Sequence, residues 1–274
     1  MSFNIQFADD QLLLEDSSTI IYGDSGIGKT TIAKQWPNPL FLIMRGGGEH
    51  RPAPLLNSGI PYIEVQTKEQ MDEILIEVRR NGTIKVPPQL KRSSSLADAI
   101  TKASDGKFTE EYAVKTIVID QLSSMHTLFI NHVLTKVARN RENPDTPNQQ
   151  DYQQTLRQFN SWVIEVNQVP RTHKVWLALA EIDEDTRTKE RYGAPSIPGR
   201  LAVDILKYVD FVFRFYIRRT VTAGTVKESR VFQTQPDGMW KAKDSTGKLP
   251  AVIEIPGPAF PVWSGVIVPA LEKK

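Results

Sequence analysis

Along this chain, short uninterrupted apolar runs alternate with longer segments in which apolar residues return every three to four positions. The runs at 20–22, 39–44, 116–119 and 174–180 are too short for helices, and they lack the polar alternation of half-exposed strands. They predict strands covered on both faces, as in a parallel sheet. Between them, Met71, Ile74, Leu75 and Val78 fall at helical spacing, as do Tyr152, Leu156, Phe159 and Val163, which are read as core. Thr67-x-x-Gln70 has the form of a capping box, Asn81-Gly82 closes the first helix, and Pro170 ends the second. A further helix is predicted over 123–138 and a short strand over 60–65. Strands alternating with helices in this way specify an α/β fold with a mainly parallel sheet flanked by helices.

The ends of the chain read differently. Phe3, Ile5, Phe7 and Leu12 to Leu14 predict a strand or hairpin leading into the first buried run. Residues 208–216 and 221–234 predict the two strands of a C-terminal hairpin, and Pro236-Asp237-Gly238 marks a turn before a strand-like stretch at 239–243. The tail carries Pro250, Pro256, Pro258, Pro261 and Pro269, and it is read as extended chain packed on the core. Three polar stretches interrupt the pattern: an insertion at about 85–108, a loop at 139–150, and a long loop at 183–200 that leaves the sheet edge facing a ligand.

Composition narrows the function classes. With 274 residues, 40% hydrophobic and 24% charged, the chain is long enough for one elaborated α/β domain. No cysteine is present, which excludes disulfides, cysteine nucleophiles and thiolate metal sites. The four histidines show no spacing that suits zinc. A net charge of +2 does not announce nucleic acid, so a basic surface has to be local. No apolar run approaches a membrane span, and the first residues lack a signal-peptide layout, so a cytoplasmic protein without membrane partners is expected.

Chemistry concentrates after the first buried run. Gly23, Asp24, Ser25, Gly26, Ile27, Gly28, Lys29 and Thr30, followed by Thr31, complete the pattern G-x-x-x-x-G-K-[ST] between a predicted strand and a predicted helix. Glycines turn successive backbone N–H groups inward to cradle phosphates. Lys29 is expected on the β- and γ-phosphates, and the Thr30 hydroxyl on Mg²⁺. The strand Thr116-Ile117-Val118-Ile119 ends in Asp120, the form of a Walker B carboxylate that supports Mg²⁺. ATP and Mg²⁺ are therefore the expected ligands.

Four features together resemble the RecA-like ATPases: GDSGIGKTT, TIVID, the segment PSIPGRLAVDILKYVDFVFRF, and the late motif KAKDSTGK. The likeness is greatest to the small phage-encoded RecA-core proteins of single-strand annealing and recombination. It spans about residues 19–248 and implies a domain over 1–249, with 250–274 as a tail. It also implies assembly into a ring or filament on single-stranded DNA, with nucleotide between subunits. In such a setting Lys241 and Lys243 would reach the neighbouring subunit's nucleotide, a phage or host single-strand binding protein would be a partner, and the bacterial host cytoplasm would be the location. The bland reading of the two lysines is a pair of solvated charges on a strand.

Three departures qualify the resemblance. Where relatives carry a water-activating glutamate at the end of the second strand, this chain has Arg45, which cannot accept a proton. Glu49 in the following glycine cluster is the nearest acid, so either it serves as base or turnover is slow. Leu179 and Ala180 stand where polar sensor residues are expected, and Ser245 where a basic residue is common. A nucleotide-sensing partner subunit with little catalysis, or a kinase-like enzyme on another substrate, therefore stands as an alternative. DNA contacts are expected from Arg139 and Arg141 in one loop, and from Arg187, Lys189, Arg191, Tyr192 and Arg200 in the other. In the second loop the acids cluster at the strand end, and after Glu190 come Arg191, Tyr192 and Arg200 with no further acid.

Overall fold

Strand β1 (Ser18–Gly23) is buried at all six positions because it pairs on both edges and is covered on both faces. Its neighbours, both parallel, are β7 (His173–Glu184) and β9 (Phe211–Thr222). The computed structural model describes residues 12–45, 53–55, 58–85, 111–136, 146–185, 188–198, 201–222, 225–257 and 259–272. Beyond β7 come β6 (Thr116–Asp120), β2 (Pro39–Met44) and β3 (Tyr62–Val65), all in parallel register. Beyond β9 come β10 (Thr225–Gln233) and β12 (Val252–Ile255), both antiparallel additions. The order among the described residues is thus β12-β10-β9-β1-β7-β6-β2-β3. This is the mainly parallel α/β sheet flanked by helices that the sequence predicts, with an antiparallel C-terminal extension.

Alternating side chains divide the core into two layers. Ile20 and Tyr22 face one layer, closed by helices α3 (Lys68–Asn81), α4 (Leu122–Lys136) and α5 (Gln149–Asn167). Ile21 faces the other, with Ile32 and Ala33 of α2 (Lys29–Ala33), Phe211, Phe213 and Phe215 of β9, and residues of the tail. Thr67 caps α3, accepting from the Gln70 amide at 3.3 Å, while the Gln70 side chain accepts from Gln66, one residue earlier than a capping box requires. In α5 the complete box belongs to Asn148 and Asp151, which exchange hydrogen bonds of 3.1 and 2.8 Å.

Four expectations need correction. Leu12, Leu13 and Leu14 form a short helical turn, α1 (Leu12–Glu15), and not a strand, while Phe3, Ile5 and Phe7 of the same expectation lie outside the described residues. Tyr152 is 52% exposed, because the buried stripe of α5 runs through Thr155, Phe159, Trp162 and Val166 instead. The tail is not all extended. It ends in a π-helical turn (Trp263–Ile267) and α6 (Val268–Glu272). Pro269 stands inside a helical run that begins at Val262, directly after the π-helical turn in which the Val268 amide donates to the Trp263 carbonyl, and the altered bonding of that turn accommodates a residue without an N–H. Trp263 packs on Trp36 with centroids 5.3 Å apart, which holds this segment against the turn that follows α2. Finally, most of the predicted loop at 183–200 is a hairpin, in which β7 continues to Glu184 and pairs antiparallel with β8 (Arg191–Pro195). The insertion predicted at 85–108 lies outside the described residues except at its start, where β4 (Thr83–Lys85) pairs with β5 (Glu111–Ala113).

Candidate functional site

The carboxyl end of β1 runs into a loop that the sheet itself forces to carry glycine. A Cβ on Gly23 would lie 2.0 Å from the Phe215 carbonyl oxygen of β9, so only glycine allows the two strands to approach this closely. Gly26 and Gly28 then take φ values of 74° and 109°, where a side chain is strained. Asp24, Ser25 and Gly26 are exposed, whereas Ile27 is buried in the phenylalanine layer and anchors the loop from below.

Lys29 is 9% exposed, and its ammonium donates to the carbonyls of Gly23 at 2.9 Å and Asp24 at 2.8 Å. Burial lowers its pKa to about 8, against the opposing pull of Asp120 and Asp24. A phosphate chain held by the loop would offer this cation stronger acceptors than two carbonyls. Thr30 Oγ1 donates to the Asp120 carboxylate at 2.9 Å across 90 residues of sequence. Hydroxyl and carboxylate together form an all-oxygen donor set of the kind that a hard divalent cation takes alongside phosphate and water. Among the described residues no cluster of three histidines or carboxylates forms a metal site.

Sequence reading missed Arg230 of β10. Its Nε donates to the Ile27 carbonyl at 3.2 Å. Arg230, Gly26, Gly28, Thr31, Ile255 and Gly257 are among the residues lining a cavity of about 200 Å³ beside the loop. The signal was there in the sequence as an arginine inside an otherwise strand-like run, but pairing alone shows that it meets the loop.

The late lysines part company. Lys243, on β11 (Lys243–Asp244), pairs with Val212 near the start of β9, and its ammonium donates to the carbonyls of Val209 at 2.7 Å and Leu206 at 3.4 Å. It caps the preceding turn of its own chain, so as placed it does not reach outward beside Lys241. Lys241 lies closer to the loop strand. The Tyr22 hydroxyl donates to its backbone carbonyl, and its ammonium lies 5.3 Å from the centre of the Tyr192 ring. Arg214, opposite Tyr22 in the ladder, is sandwiched between Trp240 at 3.6 Å and Tyr216 at 4.2 Å.

Arg45 directly follows β2 and forms an ion pair with Glu64 of the adjacent β3. Glu49, Arg139, Arg141, Arg187 and Arg200 lie outside the described residues. In the β7–β8 hairpin the cations are not separated from the acids as their order in sequence suggested. Antiparallel pairing sets Glu184 opposite Arg191 and Asp183 opposite Tyr192, and Lys189 pairs with Glu184 at 3.3 Å. Among the described residues no helix is long and apolar enough to cross a membrane.

A solved structure described as a KaiC-like protein from the hyperthermophilic archaeon Pyrococcus horikoshii OT3 is similar at 12% identity, over 88% of this chain and 90% of that one, with a TM-score of 0.37. No curated protein matches the sequence. The model of a family described as AAA domain matches residues 15–246, which take in the phosphate loop, Asp120 and every strand of the parallel sheet, and the chain therefore belongs to that family.

Proposed function

We propose that this protein binds ATP with Mg²⁺ and hydrolyses it slowly while assembled on single-stranded DNA, as a phage-type recombination or annealing factor. The observation that carries the nucleotide part is the conjunction of Lys29 on the loop carbonyls with Thr30 on Asp120. Lys29 would bind the β- and γ-phosphates, and Thr30 with Asp120 would hold the cation, which draws charge from the phosphate oxygens when bound. The DNA part is supported by the resemblance, and by the Tyr192, Lys241 and Arg191 side chains beside the same sheet edge, where rings can stack on bases and cations can meet phosphates. The acids opposite Arg191 and Tyr192 oppose it. Lys241 of one subunit facing the nucleotide of the next would make hydrolysis depend on assembly.

A second reading, a nucleotide-sensing subunit with little turnover, is favoured by Arg45 in its ion pair with Glu64 and by the apolar Leu179. Measuring ATP hydrolysis with and without single-stranded DNA, beside nucleotide affinity, separates the two. DNA-stimulated turnover supports the first reading, and tight binding with no turnover supports the second. In the DNA assay, Arg191→Ala/Tyr192→Ala is expected to weaken single-strand binding and flatten its salt dependence, with ATP affinity unchanged. Unchanged DNA affinity would place the DNA path elsewhere.

A further inference from the structure

We propose that Glu181 is the carboxylate that activates the attacking water, with Ser196 as its positioning residue, an assignment that rests on the ATPase reading above. β7 lies between the phosphate-loop strand and the Asp120 strand, with Leu179 level with Gly23 and Leu177 level with Asp120. Its carboxyl end therefore rises between the two halves of the site. Side chains alternate along a strand, and Val175 and Leu177 lie in the layer that holds Ile27, Ile32 and Ala33 beneath the loop. Leu179 and Glu181 continue on that face. Asp120 follows Val118 on the same face, and its bond to Thr30 shows that this face is the one turned to the loop.

Glu181 stands two residues beyond the level of Gly23, a rise of roughly 7 Å along the strand. The strand has left the core there, and Glu181 is exposed. It is nevertheless held. The Ser196 amide donates to the Leu179 carbonyl at 2.7 Å, and the Ser196 hydroxyl donates to Glu181 Oε2 at 2.7 Å. One carboxylate oxygen is thus fixed by a neutral donor, which leaves the group able to accept a proton on the other. Of the other carboxylates that the described strands bring to this end, Glu64 and Glu184 pair with the cations Arg45 and Lys189, Asp120 is bound by Thr30 of the proposed cation site, and Asp183, two residues further along β7, accepts from the Tyr192 hydroxyl at 3.3 Å.

In the step itself, a proton passes from water to Glu181 while the water oxygen bonds to the γ-phosphorus. The bond from that phosphorus to the β,γ-bridging oxygen breaks, and its electron pair leaves with ADP. Glu181 then returns the proton to solvent.

The test uses the full chain with ATP, Mg²⁺ and single-stranded DNA, comparing wild type with Glu181→Gln, Glu181→Asp, Ser196→Ala and Glu49→Gln, with nucleotide affinity measured separately by a fluorescent analogue. Glu181→Gln is expected to lower kcat by about 10²–10³ with KM and affinity within about threefold of wild type. Glu181→Asp should keep an intermediate rate, and Ser196→Ala should lower kcat by roughly three- to tenfold at unchanged KM. A wild-type rate in Glu181→Gln, a loss confined to Glu49→Gln, or parallel loss of binding and turnover in Glu181→Gln overturns the assignment alone. A wild type that binds nucleotide and never turns over overturns the ATPase reading and the assignment with it.

Discussion

Arg230 Nε donates to the Ile27 carbonyl at 3.2 Å, joining the C-terminal hairpin to the phosphate loop. A loop rich in glycine has many conformations to lose when it closes on phosphate, and a hydrogen bond already made to its backbone reduces that loss. The antiparallel extension is in this sense part of the nucleotide site. Arg230→Ala is expected to weaken nucleotide affinity by about 3–10-fold, the equivalent of one hydrogen bond. Calorimetric titration of ATP checks this, and wild-type affinity in the variant would show that the loop keeps its shape unaided.

Lys29 gives a pH prediction. Its pKa of about 8 in the nucleotide-free protein is held down mainly by burial. Bound phosphate favours the charged form, so binding above pH 8 must draw a proton from solution. ATP affinity should therefore fall as pH rises from about 8, by at most roughly tenfold per pH unit. Titrations at pH 8.5 in buffers of different ionisation enthalpy should report net proton uptake. Lys29→Arg, always ionised, should show none, and Lys29→Ala should bind poorly at every pH. Proton-neutral binding by the wild type would mean that the phosphates do not reach Lys29.

The parallel half of the fold and the loop were legible because local chemistry decides them. Four apolar runs, a complete glycine-lysine-threonine pattern and a strand-end aspartate need no knowledge of the distant chain. What the sequence hid was pairing. Charge order along 183–200 suggested exposed cations, yet the turn after Glu184 folds the acids back against Arg191 and Tyr192. Lys241 and Lys243 looked equivalent by spacing, yet Lys243 sits beside the carbonyls of Leu206 and Val209. Arg230 and Glu181 have meaning only through register, Arg230 through the β9–β10 ladder and Glu181 through the position of β7 between β1 and β6. The helical end of the tail is hidden because prolines weigh against helix, while Pro269 follows directly on a π-helical turn whose altered bonding accommodates it.

The divergence of the two lysines can be read in separate assays. Lys243→Ala leaves the Leu206 and Val209 carbonyls without their charged donor and is expected to cost about 1–3 kcal/mol of stability in denaturant unfolding. Lys241→Ala should leave stability within about 0.5 kcal/mol, as for an exposed side chain. If Lys241 acts across a subunit boundary, mixing Lys29→Ala chains with Lys241→Ala chains should recover part of the hydrolysis that each has lost. No recovery in chains shown to co-assemble would confine Lys241 to its own subunit.

His173 offers a stability test remote from the loop, at the opposite end of β7. It is 2% exposed, within hydrogen-bond distance of the Ser17 hydroxyl at 2.9 Å, and packed edge-on against Trp263 at 4.6 Å. Burial lowers its pKa to about 4, reinforced by the charge on Lys174 and opposed by a hydrogen bond to the Leu14 backbone. The unfolded chain has the ordinary value of about 6.5. Between these values the unfolded state binds a proton that the folded state refuses, so stability is full above about pH 6.5 and falls as pH drops towards 4. The whole effect is on the order of 3 kcal/mol, of which about 2 kcal/mol should be lost between pH 7 and pH 5. Urea unfolding at those two pH values, in wild type and His173→Gln, isolates the term. The variant is less stable at pH 7 because packing on Trp263 is lost, but its own loss on acidification should be smaller by about 2 kcal/mol. Equal losses in both proteins would mean that His173 titrates normally and that acid sensitivity comes from the carboxylates.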